Sequence, residues 1–246
     1  MKKNDRFKVI VDNLGMNGEG VARIDNQVVF VPFVLPKEQV EGIVINDKSS
    51  FLIGKAVNIK DYNKYRVEPK CPYFTRCGGC NLQHLDYEQQ LKFKTELVKD
   101  TLKKVGDIEC KVEECVASNK EYNYRNKAAF PVAKVLSKTQ IGMFRNGTHN
   151  LVEIDYCPLQ KTKINKLIEI TKQFIEKYNI QGYNEKTKTG ILKHLVAREL
   201  QNSLLITLVA TTNKIPNLKE YIKMLANISL VTEKMFENHI VNTKLI

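Results

Sequence analysis

Between residues 7 and 60, five short β-branched runs follow one another closely: "FKVIVDN", "GVARIDN", "QVVFVPFV", "EQVEGIVIND" and "FLIGKAVNIK". Glycines, Asn-Asp pairs and a Pro-Lys step separate them, which is the punctuation of strands joined by turns. Five such strands in under sixty residues fit a small barrel of the OB type, which hides its edges by closing on itself. Gly15, Gly18 and Gly20 would serve a tight turn that needs positive φ or close backbone approach. Small barrels are common nucleic-acid platforms, and plain structural barrels are nearly as frequent.

After a linker, a helix is expected to begin at Asp86, whose carboxylate can cap the first turn while Gln89 reaches back. Tyr87, Leu91, Val98, Leu102 and Val105 recur at near-helical spacing, and Gly106 stands where a helix would stop. This helix is expected to pack over the cysteine-rich loop before it. From about residue 109 the pattern is mixed. "NKAAFPVAKV", "TQIGMFRN" and "HNLVEID" read as antiparallel strands, and "KINKLIEITKQFIEKYN" as an amphipathic helix. "GILKHLVAREL" and "NSLLITLVATT" read as a hairpin, followed by a helix in "NLKEYIKMLAN" and a strand in "ISLV". The fold class expected is therefore α+β: a barrel over 1–60, a linker, cysteine loop and helix over 61–108, and an antiparallel-sheet domain over 109–246.

The 246 residues suffice for two or three ordinary cores, and no apolar run approaches the length of a membrane span. The opening "MKKNDRFKVIVDN" has no apolar h-region, so a cytoplasmic location, away from membranes, is expected. Net charge is +12, of which residues 161–246 carry +7. Such a surplus suits a polyanionic partner, although a lysine-rich solvated surface explains it equally well.

In "CPYFTRCGGCNLQH", Cys71, Cys77 and Cys80 stand within ten residues, with Cys157 in "EIDYCPLQ" much later. In the reducing cytoplasm clustered thiols more often bind metal than form disulfides. The glycine pair 78–79 lets the backbone wrap and aim Cys77 and Cys80 at one point, with N–H groups turned towards sulfur. Zinc sites of four thiolates usually use two Cys-x2-Cys knuckles, and only one is present here. A [4Fe–4S] cube tolerates uneven spacing, so the pattern favours the cluster over zinc, with metal-free thiols third. Cys110 and Cys115 read as buried structural cysteines.

The stretch "CPYFTRCGGCNLQHLDYEQQLKFK" resembles the cluster segment of bacterial RNA (uracil-5-)-methyltransferases, in particular the branch acting on 23S ribosomal RNA. "GMNGEGVARIDNQVVFVPFVLPKEQV" resembles their N-terminal TRAM domain, and "YNYRNKAAFPV", "IGMFRNGTHNLVEIDYCPL" and "TKTGILKHLVARE" resemble blocks of their central domain. The resemblance implies Cys71, Cys77, Cys80 and Cys157 as [4Fe–4S] ligands, structured ribosomal RNA with a loop uridine as partner, and a monomer that does not bind DNA. One departure is Lys37, where TRAM sequences commonly carry glycine in Leu-Pro-Gly-Glu. Another concerns the family's Rossmann-like domain, which binds S-adenosylmethionine and carries the nucleophile. No glycine follows Gly190, no cysteine follows Cys157, and "VTEKMFENHIVNTKLI" does not look like the family's continuation. The chain is therefore expected to be an N-terminal portion, truncated before the catalytic domain and inactive alone, with no catalytic residue assigned.

Arg125, Lys127, Arg145 and His149, interleaved with Tyr124 and Phe144, are the candidate RNA contacts, because an aromatic beside an arginine can stack a base and hold a phosphate. His84 and His194 read as structural. The first rival reading is a stand-alone RNA-binding module with a structural metal site. The second, a radical enzyme, needs a three-thiolate Cys-x3-Cys-x2-Cys loop that this spacing does not match.

Overall fold

The computed structural model describes residues 1–201 and 203–226, which fall into two compact units. The first comprises Met1–Thr75 with Cys80–Asn119, and the second Arg76–Gly79 with the described residues from Lys120 onward. The expected strand "ISLV" and the tail after it lie outside the described residues.

In the first unit, β1 (Arg6–Ile10), β2 (Asn13–Leu14), β3 (Gly20–Ile24), β4 (Gln27–Val31), β5 (Gln39–Asp47) and β6 (Phe51–Lys60) form one sheet in the order β1-β5-β6-β4-β3-β2. The chain bends between β1 and β2, so its first part pairs with β5 and its second with β3. That double pairing closes the sheet. The β4·β6 pair is parallel, with Val29 opposite Leu52, while every other pair is antiparallel. Alternating side chains point inward, and Val9, Val29, Val31, Val40, Val44 and Leu52 fill the barrel with Phe7. Gly42 and Gly54 make room for Phe7: a Cβ on Gly42 would lie 2.3 Å from its Cζ. Of the three glycines at the β2–β3 turn, Gly18 has the positive φ, and Gly20 has the close approach, 2.3 Å from Val34 Cγ2 to a built Cβ.

Helix α1 (Tyr87–Gly106) starts at the Asp86 cap, whose carboxylate accepts the N–H groups of Glu88 and Gln89. Its left-handed terminal residue is Asp107, with φ 51°, one position past the expected stop at Gly106. Only Thr95 is fully buried, and Val98 and Val105 are exposed. The helical spacing was correct, but it does not supply a covering layer for that face.

The second unit has one antiparallel sheet in the order β11-β10-β7-β8-β9, built from β7 (Lys127–Val135), β8 (Lys138–Phe144), β9 (Leu151–Glu153), β10 (Leu192–Leu200) and β11 (Ser203–Ala210). Helix α2 (Thr162–Lys177) packs on β8 and β10 through Ile164, Leu167, Ile168, Thr171, Phe174 and Ile175, and α3 (Leu218–Leu225) packs on α2. Tyr221 of α3 is buried against Phe174 and shares a 2.7 Å hydrogen bond with Thr171, which satisfies both hydroxyls in the apolar layer. Gly142 brings β8 and β9 together, since a Cβ there would lie 2.0 Å from the Val152 carbonyl oxygen. Among the described residues no helix is long and apolar enough to cross a membrane.

Candidate functional site

The cysteine region is built by local hydrogen bonding. In the first unit, Phe74 N–H donates to the Cys71 carbonyl at 3.1 Å, and Gln83 Nε2 donates to Cys80 Sγ at 3.2 Å. Asn81 Nδ2 donates to the Asn17 carbonyl, and the Leu82 side chain lies against Gly18, so the stretch after Cys80 sits on the β2–β3 turn. In the second unit, Gly79 N–H points to Cys77 Sγ at 3.4 Å. Gly78 N–H donates to the Phe144 carbonyl at 2.9 Å, and a Cβ on Gly78 would stand 2.7 Å from Asn146 N. Only glycine lets this turn lie so close to the end of β8. Cys157 is fixed by Asn165, whose Oδ1 accepts the Cys157 N–H at 2.8 Å while its Nδ2 donates to the Cys157 carbonyl at 3.0 Å.

Cys71, Cys77, Cys80, Cys115 and Cys157 are half-buried, and Cys110, expected to be buried, is exposed. Among the described residues no group of three or more His, Cys, Asp or Glu side chains could hold a metal ion, so the structure does not itself display the four-thiolate set expected from the resemblance. The chemistry of the individual residues does suit thiolate ligands, because Cys77 and Cys80 each accept an N–H on sulfur, as cluster ligands do.

The sequence carried no signal for an ionic cluster beside this loop. Glu38 is fully buried, and both its oxygens are taken: Oε1 by Arg66 Nε (2.6 Å) and Asn63 N–H (3.1 Å), Oε2 by Arg66 Nη2 (2.6 Å) and Leu35 N–H (2.8 Å). Burial pushes the Glu38 carboxyl up, but Arg66 and the two backbone donors outweigh it and hold it below the usual range. His84 lies beside Phe33 and Phe74 with 1% of its surface exposed. Burial and then the Arg66 charge push its imidazole down to about 4.

The candidate RNA contacts all lie in the second unit, Arg125 and Lys127 at the start of β7 and Arg145 and His149 after the end of β8. Arg125 is half-buried, with its N–H on the Leu159 carbonyl, and Lys127 is exposed opposite Arg198 on β10. Tyr124 is exposed. Arg145 and His149 are exposed in the β8–β9 loop, where the His149 ring stacks on Phe144 and its Nδ1 lies 2.8 Å from Glu185 Oε2. Glu185 was missed, 36 residues away in sequence. His194 is half-buried on β10, with burial lowering its pKa against the pull of Glu185.

Comparison with known proteins adds four findings. The TRAM domain family matches residues 2–60. An RNA methyltransferase of Clostridium tetani is 37% identical over 227 residues, covering 92% of this chain and 49% of that protein. One of Bacillus cereus is 31% identical over 247 residues, covering 99% of this chain and 54% of its own length. Among solved structures, the tRNA (uracil-54, C5)-methyltransferase of Pyrococcus abyssi, in complex with S-adenosyl-L-homocysteine, superposes with a TM-score of 0.65 at 28% identity. That superposition covers 87% of this chain and 48% of the archaeal one. The chain thus spans about half the length of the curated relatives it matches.

These alignments correct the expected fold class, which ended in an absent C-terminal Rossmann-like domain and an unrelated tail. Alignment with one RNA methyltransferase covers 92% of the chain and with another 99%, and the superposition on the archaeal enzyme covers 87%. The expectation rested on missing glycines and cysteines, and such gaps say nothing against residues that align. The expected inactivity loses its support with it.

Proposed function

We propose that this chain holds RNA for S-adenosylmethionine-dependent methylation at C5 of a uridine in 23S ribosomal RNA. The observation that carries this reading is the 37% identity to an RNA methyltransferase over 92% of the chain, supported by the superposition on a uracil-C5 enzyme. In that chemistry a cysteine thiolate adds to C6 of uracil, C5 takes the methyl group from the sulfonium sulfur, and a base removes the C5 proton as the thiolate leaves C6. The target base must leave its stack, so the protein has to grip structured RNA around an unpaired nucleotide. The barrel over 1–60 and the exposed Lys127, Arg145 and His149, together with the half-buried Arg125, are the grip we assign. No residue of this chain is assigned to the bond-making steps. We further assign Cys71, Cys77, Cys80 and Cys157 to a structural [4Fe–4S] cluster, on the family resemblance and the N–H donors at two of the sulfurs. The protein acts as a cytoplasmic monomer in this reading.

The archaeal neighbour favours a second substrate, tRNA, since its own name states uracil-54 of tRNA. Binding of 23S ribosomal RNA fragments and of tRNA, measured side by side across a salt series, separates the two. Affinity for the true substrate should fall steeply with salt, and Arg125→Ala with Lys127→Ala should weaken binding and flatten the slope. No RNA binding at low salt, or affinity indifferent to salt, overturns the reading. Radiolabelled S-adenosylmethionine adds a chemical arm: label recovered on ribose or on a base other than uracil excludes uracil C5 as the target.

A further inference from the structure

The loop joining β8 to β9 holds a flat ring in an unusual way. The imidazole of His149 lies parallel to the Phe144 ring, with 5.0 Å between centroids and 9° between planes. One face is therefore covered, yet 72% of the side chain is exposed, which leaves the opposite face open to solvent. An edge of the ring is held as well, by Glu185 Oε2 at 2.8 Å from Nδ1.

Both supports are stiff. Arg145 N–H donates to the Asn150 carbonyl (2.9 Å), Thr148 N–H donates to the Arg145 carbonyl (3.1 Å), and Asn150 N–H donates to Thr148 Oγ1 (3.1 Å), so the loop carrying His149 is closed on itself. The Phe144 backbone is held by the Gly78 N–H on its carbonyl. Glu185 sits in a turn in which Asn184 Oδ1 accepts the N–H groups of Lys186 (2.9 Å) and Thr187 (3.2 Å). A histidine that only packed would be buried. One that only paired with a carboxylate would have no need of a parallel aromatic beneath it.

A ring fixed in orientation and open on one face, in a loop that also carries the exposed Arg145, has the design of a stacking surface. Aromatic side chains hold unstacked bases in this way while neighbouring cations hold the backbone, and the ordering of the ring is already done before the base arrives. We infer that His149, backed by Phe144 and held by Glu185, is the platform on which one unpaired nucleobase of the bound RNA stacks. The inference rests on the RNA reading above and goes beyond it, because it assigns one side chain to one base rather than to general phosphate attraction.

The test uses the full chain and single-stranded or loop RNAs in which 2-aminopurine is scanned through every position. One position should show fluorescence quenching on binding. His149→Ala should abolish that quenching and weaken binding roughly 5- to 150-fold, the range of one lost base stack. His149→Phe should keep both, since it retains a flat ring on Phe144. Against an RNA with an abasic site at the quenched position, wild type and His149→Ala should bind alike. An exposed site tolerates these changes, and unaltered circular dichroism would confirm that. If the wild type binds RNA but His149→Ala leaves quenching and affinity unchanged, the platform is wrong and the RNA reading survives. If the wild type binds no RNA even at low salt, both fall together.

Discussion

Arg66 grips Glu38 with two nitrogens, Nε and Nη2, each 2.6 Å from a different carboxylate oxygen, while Glu38 itself has no exposed surface. This fork joins the β4–β5 connection to the linker that leads to the cysteines, and the same carboxylate also accepts two backbone N–H groups. The pair stands apart from the lysine–glutamate bridges on the surface, such as Lys99–Glu96 or Lys166–Glu169, whose partners are both well exposed.

Removing the guanidinium leaves a buried carboxylate uncompensated. Arg66→Ala should cost about 3–5 kcal/mol in urea unfolding. The double variant with Glu38→Gln should be less destabilised than Arg66→Ala alone, because the orphan charge is gone. A loss below about 1 kcal/mol, the range of exposed pairs, would mean that solvent screens the site after all.

Acid should destabilise the protein in two steps. His84 is neutral when folded and titrates at about 4, against an ordinary value of 6.5. Its contribution is complete above pH 6.5, since neither state is then charged, and is lost as pH falls from 6.5 to about 4, where the unfolded chain alone takes the proton. The loss should approach roughly 3 kcal/mol. Glu38 is held below its usual 4.5, so its contribution persists above that value and disappears as pH falls through the lower folded one. His84→Leu should flatten the upper step and leave the lower one, measured by denaturant unfolding at successive pH values. An unchanged upper step would assign it elsewhere.

Lys37 occupies left-handed backbone, with φ 70°, in the turn between Pro36 and Glu38. That conformation costs a side-chain-bearing residue about 1–2 kcal/mol, and glycine returns about 0.4–1 of this through a freer unfolded chain. Lys37→Gly should therefore raise stability by about 0.5–1 kcal/mol. A lower midpoint would show that the lysine side chain contributes something its backbone strain conceals.

For the proposed cluster, anaerobically purified protein should be brown and hold iron and sulfide at about four each per chain. Cys157→Ser should lose most of both, along with stability, because metal binding and folding are coupled. Colourless protein with stoichiometric zinc, or full iron in the serine variant, would overturn the assignment.

Much of the chain's local structure is legible one element at a time. The Val- and Ile-rich runs before residue 60 mark strands because pleated backbone favours branched side chains, and the Asp86 cap is visible because its carboxylate answers donors two and three residues on. Partners distant in sequence leave no such trace. Nothing in the spacing of Glu38, Arg66 and His84 announces that they meet, nor that Glu185 reaches His149. Periodicity marked Val98 and Val105 as one face of α1 but not that solvent would meet it. Cysteine spacing, likewise, specifies ligand chemistry and leaves spatial assembly open.

The parallel pair of β4 and β6 has a consequence for how the protein comes into being. Hairpins β3–β4 and β5–β6 involve neighbours and can form early, but β6 must be complete before Val29 meets Leu52, and β1 must wait for β5. Long loops have to close before those contacts reward them. On the ribosome, the barrel should therefore stay unclosed, with the outer edges of its early hairpins unpaired, until the whole segment has emerged.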